Sequence, residues 1–323
     1  MEYSVATYYR TFAEVEAHGT SPLYEDWALG VATEPDLLAL IAALPRPKQQ
    51  ANLIFASARM IGVPERPFSE VRDMFVAEWE AISAIASSHA TQTNEAARCG
   101  TLLPTIAQIE GPVALIEVRA SAGLRLLPDR YSYELVDGAG SRARLDPIDG
   151  PSEALLRCEL LGEPFPTRMP EIIWRAGIDL HPLDPRDTDA ITWLETLIWP
   201  EHDDRRTVLR AAAGIAAREM PRVVPGDLLA ELPRVAAEAP DDATLVVFHS
   251  AVLAYLDAEQ RADFRRLVTG IPAIWIANEG SGVTPGVAER LRPGAVRRGE
   301  FVVAVDGIPV AAASPHGRYR RAL

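Results

Sequence analysis

The sequence predicts an α/β fold preceded by a helical region, and three observations carry that reading. Apolar residues between positions 33 and 88 recur at intervals of three and four. From residue 111, short apolar runs alternate with helical segments. Small or polar residues follow those runs directly. Short apolar runs mark strands buried on both faces of a parallel sheet, and helices usually connect such strands.

The helical region comes first. Thr33 is a candidate N-cap with Pro35 in the first turn; Leu37, Leu38, Leu40, Ile41 and Leu44 follow, and Pro45 closes the helix. Residues 51–61 form a second helix, closed by Gly62 and Pro64. Ser69 is the candidate cap of a third, with the stripe Val71, Phe75, Trp79, Ile82 and Ile85. These stripes read as core. The polar run from Gln92 through Asn94 and Glu95 to Arg98 suits ligand contact. It suits a helix start better, with Thr93 or Asn94 as cap and Glu95 favoured by the helix dipole.

Gly111-Pro112 ends this region. Residues 113–118 are the first buried strand, and Ala120-Ser121-Ala122-Gly123 is its turn. Small residues there let the backbone approach a ligand and aim the amides of a following helix at it. Residues 131–136 and 142–145 alternate across Asp137-Gly138 as a hairpin. Residues 164–170 are irregular, and 171–180 form a strand that ends near Asp179. Helices follow over 191–199 and 205–217, then a brief strand over 222–224 leading to Asp227. The run 243–248 is the clearest buried strand and empties into His249-Ser250. A helix over 258–268 leads to a strand over 273–277, which opens on Asn278. The chain closes on a hairpin, 301–305 with 310–313, across Asp306-Gly307. The expected division is a helical cap over 1–110 and an α/β domain over 111–323, with a hairpin insertion near 131–170.

In open α/β sheets, ligands bind outside the carboxyl ends of the strands. Ser121, Asp179, Asp227, His249 and Asn278 stand at such ends, so at least three of them are expected to line one pocket.

Composition removes several chemistries. Lys48 is the only lysine among 32 basic residues, which leaves 31 arginines. It follows Pro47, so no phosphate loop of the G-x-x-x-x-G-K-[ST] type exists, and a Pro-rich turn is a poor place for a Schiff-base amine. A net charge of -13 argues against nucleic acid as a general partner. No signal peptide opens the sequence and no run suits a membrane helix, so a cytoplasmic protein with a small-molecule substrate and no membrane partner is expected. Cys99 and Cys158 read as packing. No H-x-x-x-H or C-x-x-C spacing appears, so no metal is expected.

The strand and helix order, with its closing hairpin, resembles the Rossmann-like class I fold of S-adenosylmethionine-dependent methyltransferases. That fold is a mostly parallel seven-stranded sheet whose last strand is antiparallel. Its first motif is an acid followed by roughly G-x-G-x-G. Glu117 matches the acid and Gly123 the last glycine, with Arg119 and Ser121 in the other glycine places. The resemblance implies S-adenosylmethionine as cofactor. It places Glu117, Ser121, Ala122 and Gly123 along it, Asp179 on the ribose hydroxyls and Asp227 on the adenine side. His249 and Ser250 fall where the methyl acceptor often lies.

The chain also resembles, over nearly its whole length, the bacterial domain of unknown function 2332. The phrases that carry this are Gln92-Thr93-Asn94-Glu95 with Arg98-Cys99, Ala120-Ser121-Ala122-Gly123-Leu124 with Asp129-Arg130-Tyr131, and residues 174–180. Pro182-Leu183-Asp184, Trp199-Pro200-Glu201, Gly226-Asp227-Leu228, residues 248–256 and Asn278-Glu279-Gly280 add to them. The family's first motif is similar to E-V-G-A-S-A-G-L-N, from which this chain departs at Arg119 and Arg125.

Together these make a small-molecule methyltransferase the leading expectation. His249 is its candidate base, since imidazole titrates near neutrality; bracing the strand end is the competing role. Asn94, Glu95, Arg98, Arg175, Ser250 and Asn278 are candidate substrate contacts, the first three carried on a helical lid. Structural ion pairs are the competing reading of Arg98 and Arg175. Two alternatives stay open. One is a non-catalytic protein of the same fold that binds S-adenosylmethionine or a nucleoside; the other is an enzyme using the same pocket for different chemistry.

Overall fold

The computed structural model describes residues 4–92 and 94–323. Two compact units divide it. One comprises Met1–Gln92 with Thr192–Arg206, the other Thr93–Ile191 with Thr207–Leu323.

The first unit is helical: α1 (Val5–Thr11), a π-helical turn (Phe12–Ala17), α2 (Pro22–Val31), α3 (Pro35–Ala42), α4 (Ala51–Met60), α5 (Phe68–Ala77) and α6 (Trp79–Ser88). Its core is aromatic. Phe55 meets Tyr9, Phe12, Tyr24, Trp27 and Phe75 edge-on. Such pairs contribute about 0.5–1.5 kcal/mol each beyond their burial. Trp199 joins the cluster against Phe12 and donates to Asn52 Oδ1 at 2.9 Å. Arg59 donates to the Thr196 and Ile198 carbonyls at 2.7 and 2.9 Å, satisfying acceptors at the end of a helix.

Two expected caps fall elsewhere. Thr33 bonds back to the Gly30 carbonyl, and Glu34 precedes α3 instead. Ser69 lies inside α5, whose first amide, Phe68 N, is held by Asp26 at 2.6 Å. The helix expected from Ser69 to Ile85 breaks at Glu78, where ψ reaches 15°. Thr93, the other candidate cap, lies outside the described residues.

The second unit is built on one eleven-stranded sheet. Its strands are β1 (Pro112–Val118), β2 (Ser132–Asp137), β3 (Arg142–Leu145), β4 (Leu155–Leu161), β5 (Glu171–Asp179), β6 (Arg222–Pro225), β7 (Thr244–Ser250), β8 (Ile274–Gly280), β9 (Phe301–Val305), β10 (Ile308–Ala313) and β11 (Tyr319–Ala322). The order is β3-β2-β4-β11-β10-β9-β8-β7-β1-β5-β6. Strands β8, β7, β1, β5 and β6 run parallel. The β9–β10 hairpin joins antiparallel to β8. The result is a mixed, mostly parallel α/β sheet. The order in which its parallel strands are added reverses between β1 and β7, with β5 and β6 on one side and β7 and β8 on the other, the kind of switch point at which open sheets hold ligands.

Strand β1 is buried on both faces, so its residues divide by parity. Ala114, Ile116 and Val118 pack with Val247, Trp275, Leu232 and Phe264. These last two come from α10 (Leu228–Ala236) and α11 (Ala258–Thr269). Val113 and Leu115 face the other way, with Phe248, Ile276, Leu102 and Ile106. The latter pair belongs to α7 (Cys99–Ile106). The remaining helices are α8 (Thr188–Thr196) and α9 (Asp203–Glu219).

One expectation at the switch point is corrected. No α-helix follows the 120–123 turn. Leu124–Leu126 and Pro128–Arg130 are single 3-10 turns, and the chain goes directly into β2. Pro128 and the proximity of β2 leave no length for a helix, so helix amides do not supply an anion site there.

Candidate functional site

Strand parity decides which strand-end residues meet. Glu117 continues the Val113 and Leu115 face, and on β7 and β8 the same face holds Ser250 and Asn278. Asn278 Nδ2 donates to Ser250 Oγ at 3.0 Å, and it lies 3.5 Å from Thr101 Oγ1 on α7. Asn278 Oδ1 is buried with no partner among the described residues.

The turn after β1 keeps an unusual backbone. Arg119, Ser121 and Gly123 have φ of 58°, 52° and 70°. These are the three glycine places of the G-x-G-x-G pattern, all left-handed, with arginine and serine paying a penalty of roughly 1–2 kcal/mol each. Glycine is required at 123, because a Cβ there would also lie 2.9 Å from Pro221 Cγ. Gly177 on β5 lets the turn approach, since its own Cβ would fall 2.5 Å from Ala120 Cβ. Asp179 then fixes the turn. Its Oδ2 accepts from Ser121 N and its Oδ1 from His181 N, both at 2.9 Å. Each oxygen keeps acceptor capacity for a further donor.

Arg125 crosses the switch point. It pairs through Nε with Glu117, and it donates to the Arg119 carbonyl at 3.3 Å and the Ser250 carbonyl at 3.4 Å. Arg98 reaches the same Ser250 carbonyl at 3.1 Å and the Pro315 carbonyl at 2.6 Å. Glu117 is fully buried, and burial pushes its carboxyl up to about 7 against the pull of Arg125. Its Oε2 has no hydrogen-bond partner among the described residues.

His249 and Glu279 occupy the opposite face. His249 Nδ1 donates to Glu279 Oε1 at 2.7 Å, and its Nε2 accepts from Trp275 Nε1 at 2.9 Å. The same carboxylate oxygen holds the amides of Val252 and Leu253 at 2.7 and 3.2 Å. The ring is buried beside Phe264 and has no nitrogen left for proton abstraction. The network braces the turn after β7.

The other predicted residues divide. Asn94, Glu95 and Arg98 belong to the second unit, and not to the first helical one. Glu95 pairs with His316 at 3.3 Å. Both amide atoms of Asn94 are buried without a partner among the described residues, so it caps nothing. Arg175 forms a bidentate pair with Asp129 at 2.7 and 2.9 Å and donates to the Leu126 carbonyl, which secures the two 3-10 turns. Asp227 is the N-cap of α10, accepting from Leu229 N and Ala230 N. It is exposed, and its neighbour Gly226 donates its amide to the Asp179 carbonyl at 2.9 Å. Glu279, Trp275, Thr101 and His316 were not foreseen. Only the parity of β8, which puts Trp275 and Glu279 on the His249 face, signals two of them.

Residues 6–321 match the model of DUF2332, described as an uncharacterized protein conserved in bacteria. The chain belongs to this family. The comparison with curated proteins returns no match, and neither does that with solved structures. No group of metal-ligating side chains able to hold an ion occurs among the described residues, and no helix of theirs is long and apolar enough to cross a membrane.

Proposed function

We propose that this DUF2332 member is an S-adenosylmethionine-dependent methyltransferase-like protein acting on a small molecule. The observation that carries the proposal is the left-handed trio at 119, 121 and 123, locked by Asp179 beside the switch point. A glycine-type backbone kept at strain by non-glycine residues speaks for a ligand that approaches the main chain closely. The donor set also fits. Glu117 Oε2 and Asn278 Oδ1 are buried acceptors with no donor among the described residues, and the proposed cofactor brings ammonium and hydroxyl donors.

Residues 121–123 would lie along the cofactor and Asp179 would accept from its ribose hydroxyls. When bound, the cofactor supplies a methyl group on a sulfonium. The chain's part is to align an acceptor and to exclude water. His249 is not a base for the acceptor, because both of its ring nitrogens are engaged. Asp227 is left out of the cofactor set, because its carboxylate caps α10.

A second reading is a binding protein without transfer. It is favoured by Arg125, which ties β1, its turn and β7 together across the site. Both readings need the cofactor to bind. Titration calorimetry should give a dissociation constant below about 1 mM, roughly -4 kcal/mol. Asp179→Asn, which keeps one carbonyl acceptor, should weaken it at least tenfold. Unchanged affinity in that variant would refute the ribose assignment. Methyl transfer to any acceptor pool then separates the two readings.

A further inference from the structure

Five non-glycine residues adopt positive φ among the described residues, and three of them, Arg119, Ser121 and Ala251, stand at the carboxyl ends of β1 and β7. Strain of this kind persists where surrounding structure enforces it, and it concentrates at ligand sites. At Arg119 the side chain shows what the strain achieves. Its guanidinium lies 4.8 Å from the centroid of the Tyr255 ring. Tyr255 itself is 57% exposed, which is unusual for a large aromatic beside a buried strand end.

Stacking engages the flat face of a guanidinium and leaves its N–H edges open. Arg98, Arg125 and Arg175 have their donors on carbonyls and carboxylates. Arg119 differs: among the described residues its side chain has no hydrogen bond or ion pair, only the ring. A half-buried, pre-oriented fork with open edges matches a planar anion with two acceptor oxygens.

We propose that Arg119, stacked on Tyr255, binds the carboxylate of the site's ligand, and that the ligand is therefore an adenosyl amino acid and not a bare nucleoside. This rests on the cofactor reading above. The chemistry is balanced: a zwitterionic amino acid needs one cation and one acceptor of its ammonium. Arg119 supplies the first. Glu117, two residues upstream with an unpartnered oxygen, supplies the second.

The test compares S-adenosylhomocysteine with methylthioadenosine, which lacks the amino-acid end, on the full chain by calorimetry. The first should bind at least about tenfold tighter, ~1.4 kcal/mol. Arg119→Gln should erase the difference while leaving methylthioadenosine affinity unchanged. Tyr255→Leu, at an exposed position, should reduce the difference part-way. Equal affinities in the wild type, or a preference that survives Arg119→Gln, overturn the carboxylate fork and leave the nucleoside site standing. Absence of binding by both compounds overturns the fork and the cofactor reading together.

Discussion

Glu117 concentrates the electrostatic cost of the site in one side chain. A carboxyl raised from its ordinary value of about 4.5 to about 7 binds its proton more tightly in the folded state than in the unfolded one. Its contribution to stability is therefore fullest below about pH 4.5 and declines as pH rises towards 7. Glu117→Gln does not titrate, so the wild type's advantage over it should shrink across that window, by up to about 3 kcal/mol, and level off above it. Denaturant melts at several pH values check this; an advantage that grows with pH would contradict it. His249 makes the opposite case. His249→Ala should cost about 2–3 kcal/mol, since it leaves Trp275 Nε1 buried without a partner and takes one of three donors from Glu279 Oε1, and cofactor affinity should change little. A near-neutral melt with lost activity would restore its catalytic role. His249 was legible as a strand-end polar group, and Glu117 only as the acid of the motif the chain resembles. Their partners were not, because Arg125 and Trp275 pair through the fold and no local spacing announces them.

Helix α10 gives Asp227 a structural role of its own. Asp227 follows a strand, as a cofactor acid should, but its carboxylate caps the helix that begins one residue later. Asp227→Ala should cost about 1 kcal/mol of stability and leave ligand affinity unchanged. A loss of affinity would return it to the site. Strand β1 was readable because burial on both faces leaves a continuous apolar run. The hairpins β2–β3 and β9–β10 were readable because Asp-Gly turns announce them. Strands β4 and β11 were not foreseen. They pair parallel to each other, Tyr319 opposite Glu159, and such distant pairing leaves no local signature. The helix α10 was hidden by Pro233 within it.

The sheet of the second unit depends on ties that reach far along the chain. Arg320 on β11 donates to Thr101 O and Thr105 Oγ1 on α7 at 2.7 and 2.9 Å, and to Glu163 at 2.7 Å. It is 3% exposed. Arg320→Ala should cost about 1–3 kcal/mol by leaving the buried Thr101 carbonyl without its donor and the half-buried Glu163 unpaired, seen as a lower denaturant midpoint at unchanged slope. A drop below 1 kcal/mol would show these ties to be dispensable. The net charge of -13 acquires a partial explanation at this scale. Glu117 and Asp179 stand at the switch point, where the proposed ligand is cationic, and among the described residues there Arg119 is the cation with no ion pair of its own to meet its carboxylate. The most direct measurement is a crystal structure grown with S-adenosylhomocysteine. The ligand should lie at the carboxyl ends of β1 and β7, along residues 121–123, with its ribose hydroxyls on Asp179. Density for the ligand elsewhere, or none at a concentration that saturates binding, would contradict the account.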